Sequence, residues 1–261
     1  MKQIVIPIYK LSKANWYNTF VLDKKYQLNY AAGRPQMYDK NSREQKGVRI
    51  VKTLEDFLGK ERIRKLRVLD VGASTGIIDN ILSNYFREVI GTDIDKDAIN
   101  FAKKQFKKKN LKFKVEDAMK LSFKSNSFDV VICTHVYEHV PNSKKLFDEI
   151  YRVLKPSGVC YLAAINSFWP IEPHYYLPFL SYFPKKIADK YVSFMGKSDK
   201  YYESPVSYWG MEKLTRKFTQ IDYTGKIVSE PKKFGYSIPN LSLIAAFAKY
   251  IMPTTFWILQ K

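Results

Sequence analysis

The sequence predicts an α/β protein: a doubly wound, mostly parallel seven-stranded sheet with an aromatic and proline-rich insertion after the fifth strand. Three observations predict it. From about residue 47 to 165, short apolar runs alternate with helix-length patterns, which implies a parallel sheet covered on both faces. The first strong run empties into a loop marked by Gly72 and Gly76, and a helix pattern follows at once. The chain has 261 residues, 46% of them hydrophobic, enough for one large core that needs no disulfide or metal to hold it.

Each element rests on its own pattern. Lys65–Val71 reads as a buried strand and Ile77–Phe86 as the helix after the glycine loop. Glu88–Asp93 is a second strand, and Asp95 caps the helix that runs from about Lys96 to Lys108. Leu111–Val115 alternates as a third strand, Phe128–Cys133 is a fourth, a helix covers Ser143–Leu154, and Gly158–Ala164 is a fifth strand. Beyond the insertion, Tyr208–Phe218 is helical and Gln220–Val228 strand-like. Leu241–Tyr250 reads as an amphipathic helix and Thr255–Leu259 as the last strand. Right-handed crossovers put the parallel strand ends along one edge, where such sheets bind ligands.

Composition narrows the class of partner. There are 44 Lys plus Arg against 25 Asp plus Glu, a formal charge of +19. That field draws anions: nucleic acid, anionic lipid headgroups or phosphorylated small molecules. The one dense run, Lys103–Lys109, falls on a predicted helix and reads as a solvated face. Cys133 and Cys160 lie in apolar strand runs and read as reduced, buried thiols. Met1–Pro7 is too short an apolar run for a secretory signal. The apolar finish is broken by Lys249 and Pro253, which speaks against a spanning helix. The expected location is cytoplasmic, with the Leu241–Tyr250 helix as a peripheral contact on an anionic inner membrane face.

Val68–Gly76 carries the first functional signal. Gly72 lets the chain turn sharply and a ligand approach the backbone, and the free amides of the next helix favour electronegative groups. Asp70 stands at the strand tip, where it would face a cationic ligand group. A dinucleotide loop would need Gly-x-Gly-x-x-Gly, which is not met. Gly72-Ala73-Ser74-Thr75-Gly76 matches the Gly-x-Ser-x-Gly of a nucleophile elbow, but it follows the first strong strand, not one deep in an established sheet. Asp93, about twenty residues on at the second strand end, suits the two ribose hydroxyls of an adenosine.

Glu116-Asp117-Ala118-Met119 follows the third strand, Ser127–Val140 spans the fourth, and Leu154–Val159 precedes the fifth. Together with the glycine loop and Asp93, these segments resemble the class I S-adenosylmethionine-dependent methyltransferases. The resemblance is to the small-molecule group (type 11) typified by ubiquinone and menaquinone biosynthesis enzymes, and it covers about residues 47 to 165. It implies a Rossmann-like fold and S-adenosyl-L-methionine as cofactor. It implies a cofactor site at Asp70, Gly72, Ala73, Ser74, Gly76, Asp93, Ile94, Asp117, Ala118 and His135. Asp117 would lie near the adenine amino group and Ala118 beside the ring. The family often has glycine where Ser74 stands. No Asn/Asp-Pro-Pro-Tyr run follows the fourth strand, which disfavours methylation of nucleic-acid base amines.

Methyl transfer from a sulfonium is an in-line displacement, helped by alignment and exclusion of water. A base is needed only where the acceptor must lose a proton. Of the three histidines, His135 and His139 follow the fourth strand and His174 sits in the insertion. His139 or His174 is the candidate base, with Glu138 beside them. His135-Val136-Tyr137-Glu138-His139 has the spacing of some zinc hydrolases, and His174 could complete a zinc set with His135 and His139. Two imidazoles suit magnesium poorly. No metal is assigned.

The expected organisation is an N-terminal extension and candidate lid at 1–46, then a methyltransferase domain at 47–261. Residues 166–206 would form its acceptor-side insertion. The aromatics and prolines of Phe168–Pro184 suit the wall of a pocket for an apolar, lipid-linked or sugar-bearing small molecule. Two other roles would use the same fold. One is an RNA or protein methyltransferase recruited through the basic surface; the other is a catalytically silent binding module.

Overall fold

The computed structural model describes residues 28–261. Its first long element is helix α1 (Lys40–Leu58), opened by Asp39, whose carboxylate accepts the Ser42 N–H. There follow the one-turn α2 (Lys60–Ile63), β1 (Arg67–Val71), α3 (Ile77–Leu82), β2 (Glu88–Asp93), α4 (Lys96–Gln105) and β3 (Leu111–Val115). Next come β4 (Phe128–Thr134), α5 (Ser143–Val153) and β5 (Leu154–Ile165). The insertion holds a small hairpin, β6 (Ile171–Glu172) with β7 (Leu177–Pro178), and helix α6 (Lys185–Phe194). The chain ends with α7 (Tyr208–Leu214), β8 (Thr219–Asp222), α8 (Thr224–Ser229), α9 (Ala245–Ile251) and β9 (Thr254–Gln260).

The large sheet has seven strands in the order β3-β2-β1-β4-β5-β9-β8. β1 to β5 are parallel, and β9 runs antiparallel between β5 and β8. Strand order reverses between β1 and β4, so the loops leaving these two neighbours diverge and open a crevice at their carboxyl ends. Val71 is registered against both Thr92 and Cys133, which brings the exits of β1, β2 and β4 side by side. Both faces are buried. Val68, Val130, Tyr161 and Ile258 pack with α1, α3 and α4, while Leu69, Val131, Leu162 and Trp257 pack with α5 and α7. On α5 the buried residues are Leu146, Phe147, Ile150 and Val153, the spacing of one helical face. Burying each such side chain contributes roughly 1.5–3 kcal/mol.

The fold class and the seven strands agree with the sequence, and the departures have local causes. Only the start of the Gln220–Val228 run is strand. Asp222 accepts the Thr224 N–H, the chain turns, and Ile227 and Val228 are buried as one side of α8. The helix after β2 stops at Gln105 rather than Lys108. Lys108 instead folds back to donate to the Asn80 carbonyl, Ser83 Oγ and Asn84 Oδ1 at the exit of α3. The helix after the glycine loop is likewise shorter, ending at Leu82. Cys133 and Cys160 are buried and unbridged. Helix α1 runs unbroken through residue 46. Residues 1–27 of the N-terminal extension, including Met1–Pro7, lie outside the described residues. Among the described residues no helix is long and apolar enough to cross a membrane.

Candidate active site

A cavity of about 480 Å³ opens at the carboxyl ends of β1, β2 and β4, within the range typical of small-molecule sites, ~300–1,000 Å³. Its floor starts at Gly72, whose φ of 89° only glycine adopts readily. A Cβ there would lie 2.3 Å from Val136 Cγ2, so the loops leaving β1 and β4 touch through this missing side chain. The Gly72 and Ala73 N–H groups both donate to the Thr92 carbonyl. Ser74, also left-handed at φ 51°, donates its N–H to Asp93 Oδ2 at 2.8 Å, and Asp95 N–H donates to Asp93 Oδ1 at 2.9 Å. Asp93 is therefore fixed by backbone while fronting the cavity. Burial pushes its carboxyl up, and the two N–H bonds draw it back. Asp95 caps α4 through the Asp97 and Ala98 N–H groups, as the sequence divides the two acids. Ile94, Asp117, Ala118 and His135 line the same cavity.

Three expected cofactor residues stand elsewhere. Asp70 does not face the cavity: only 2% exposed, it lies one layer behind, among buried Asp79 and Arg43. Burial pushes its carboxyl up to about 7, against the pull of Arg43. The buried strand β1 holds its carboxyl in the interior instead of presenting it at a tip. Ala73 is buried off the cavity wall. Gly76 is needed for packing: an added Cβ would sit 2.6 Å from Phe113 Cζ and 2.7 Å from Ala102 Cβ.

The other half of the site is built from side chains. His135 leaves β4 with φ 54° and donates its N–H to the Ala163 carbonyl. Glu138 is buried behind the wall, with His135 Nδ1 and His139 Nε2 3.7 and 3.9 Å from its Oε1. The His139 and His174 rings meet edge to face at 4.9 Å. His174 Nδ1 lies 2.7 Å from Glu172 Oε1, and Glu172 Oε2 accepts the N–H groups of His174 and Tyr175. Burial pushes His139 down to about 4, whereas the bond to Glu172 holds His174 above its ordinary value. One imidazole is thus kept neutral and the other made more basic. Glu138, His139 and His174 each place a donor atom within 4.8 Å of the others, a set that could hold a divalent ion. It differs from the His135–His139–His174 set that the spacing suggests, because Glu138 replaces His135.

Sequence reasoning missed several participants. Glu172 and Glu203 come from the insertion, and Glu203 Oε1 lies 3.7 Å from His139 Nδ1 and 3.9 Å from Arg34. Arg43, Lys46 and Arg49 line the cavity from α1. Their three-residue spacing was the available signal. The segment before α1 also closes on the site. Ala31 N–H donates to Asp95 Oδ2, Thr75 Oγ1 donates to the Met37 carbonyl, and the Tyr30 ring lies 4.7 Å from that of His139.

Residues 69–162 match the family described as a methyltransferase domain. Fold, glycine turn and acidic strand end are thus similar to those of class I S-adenosylmethionine-dependent methyltransferases. Among curated proteins the chain is similar to enzymes of ubiquinone and menaquinone biosynthesis. It is 31% identical over 117 residues to the ubiquinone/menaquinone biosynthesis C-methyltransferase of Desulfotalea psychrophila, covering 42% of this chain and 48% of that one. It is 28% identical over 101 residues to the ubiquinone biosynthesis O-methyltransferase of Coxiella burnetii, covering 38% and 43%. The chain thus spans less than half the length of these curated relatives. In fold it is similar to the PH0226 protein of Pyrococcus horikoshii, with a TM-score of 0.57 and 24% identity over 88% of this chain and 97% of that one.

Proposed function

We propose that the chain transfers a methyl group from S-adenosyl-L-methionine to a small-molecule acceptor. The observation that carries this is the clamp between the Gly72 turn and Asp93 across one open crevice. The residues fit the cofactor. The turn excludes a Cβ, Asp93 fronts the cavity for ribose hydroxyls, and Ile94 and Ala118 offer apolar sides to a ring. Asp117 is the candidate partner of the adenine amino group. Arg43, whose Nε is buried without a hydrogen-bond partner among the described residues, suits the cofactor's carboxylate. When bound, the cofactor supplies an electrophilic methyl group.

The chain's own task is to orient the acceptor, exclude water and accept a proton where one must leave. His174 is the better base of the pair, because Glu172 fixes its ring through Nδ1 and raises its basicity. His139 and Glu138 position it from below. The insertion 166–206 and the segment before α1 serve as covers on the acceptor side. The relatives named above act in quinone biosynthesis, one on carbon and one on oxygen, which supports a small, lipid-linked acceptor. Peripheral contact with an anionic bilayer is supported by a helical stripe at Leu243 (100% exposed), Phe247 (63%) and Ile251 (46%), together with the +19 charge.

Calorimetric titration with S-adenosylhomocysteine tests the proposal. Micromolar binding is expected, with Asp93→Ala weakening it at least tenfold. Equal affinity of the variant would overturn the site. Labelled methyl transfer into a fractionated cell extract then identifies the acceptor.

A further inference from the structure

The cavity continues beyond the residues assigned to adenosine. On the side away from β2 and β3 its walls are Tyr161 of β5, Phe256 of β9, Tyr236 and the inner side of α1. From α1, Arg43, Lys46 and Arg49 line it at intervals of three residues, which sets them along one face of the helix. None of the three makes an ion pair with a described residue. Arg43 lies toward Asp70, Asp79 and Asp93, on the cofactor's side.

The remaining two differ in how they are held. Arg49 is anchored: Nε donates to the Gly235 carbonyl at 3.2 Å, and its guanidinium lies 4.3 Å from the Tyr236 ring centroid. Lys46 has neither hydrogen bond nor ion pair among the described residues, yet it lines the cavity between two arginines. Partial burial and those flanking cations draw its ammonium below the ordinary lysine value, a pull that an anion bound beside it would offset. Beside them the wall is aromatic. An anion on an apolar or ring-shaped body would satisfy both parts at once, whereas a neutral ligand would leave the cations unanswered.

We propose that Lys46 and Arg49 form the recognition site for an oxyanion of the methyl acceptor, a carboxylate or a phosphate, whose body lies along Tyr161, Tyr236 and Phe256. The proposal rests on the methyl-transfer assignment and narrows its substrate class to acidic acceptors.

The test uses the full chain saturated with S-adenosylhomocysteine, titrated by calorimetry with benzoate, phenyl phosphate and benzyl alcohol. At least one of the two anions is expected to bind tenfold or more tightly than the alcohol, and which one binds tells carboxylate from phosphate. Lys46→Gln should weaken the preferred anion about tenfold. It should leave S-adenosylhomocysteine affinity unchanged, and Lys46→Arg should restore anion binding. Equal binding of anion and alcohol, or a Lys46→Gln variant that binds the anion as well as the parent, overturns the proposal. Failure of S-adenosylhomocysteine to bind at the outset would instead sink the methyl-transfer assignment itself.

Discussion

The two halves of the cavity are made differently. The cofactor half is built mostly by backbone: a left-handed glycine, a left-handed Ser74 and two N–H groups that fix one carboxylate. Apart from Arg43, it comes from consecutive strand ends between residues 72 and 118. The acceptor half is built by side chains from α1, the insertion, Tyr236 and β9, segments far apart in the chain: Arg49 is bonded to Gly235, 186 residues on. The contrast teaches that the first half is set by strand topology, while the second is set by side chains that can change without disturbing the sheet.

The sharpest way to break that contrast is to remove the base without touching the clamp. His174→Ala should lower kcat by ~10²–10⁴ on an acceptor that loses a proton, while S-adenosylhomocysteine affinity stays within twofold. Glu172→Gln should cost less and move the acidic limb of the kcat profile to lower pH, since the carboxylate holds the imidazole's pKa up. An unmoved limb would mean that Glu172 does not act through His174. A smaller effect is expected on the backbone side. Gly72→Ala forces a Cβ into Val136 and should weaken cofactor binding about tenfold, with strain of roughly 1–3 kcal/mol. Adding Val136→Ala should recover part of that loss in a double-mutant cycle, and no recovery would leave the inter-loop contact without energetic weight.

The smallest expected effect concerns Asp70, the residue that sits behind the wall. Its folded carboxyl is raised to about 7, against an unfolded value near ~3.9. A raised carboxyl contributes stability that is fully present below the unfolded value and lost as pH rises through the folded one. Asp70→Asn should therefore gain stability relative to the parent as pH rises from about 4 to 7 in thermal melts. A constant difference across that range would show that the carboxyl does not titrate there.

Much of this was legible in the sequence for a physical reason. Strands buried on both faces read as continuous apolar runs, and the Gly72 turn and Asp93 are local features of their ends. The errors lie where one dimension cannot report the third. Asp70 sits at a motif position, but the sequence does not show its side chain turned inward. Gly76 looks like a ligand-approach glycine, yet what crowds it is Phe113 and Ala102 from later elements. Ile227 and Val228 prolonged a strand pattern that Asp222 had already ended. Glu172, Glu203 and the α1 cations were missed because each acquires meaning only from a partner far along the chain.

The tether between Ala31 and Asp95 has a consequence for how the site holds together. The same short stretch that bonds to the α4 cap also sets the Tyr30 ring against His139 and bonds Met37 to the glycine loop. Any displacement of that stretch would therefore disturb the glycine loop, the α4 cap and the wall at His139 together, so the three are not independent parts of the site.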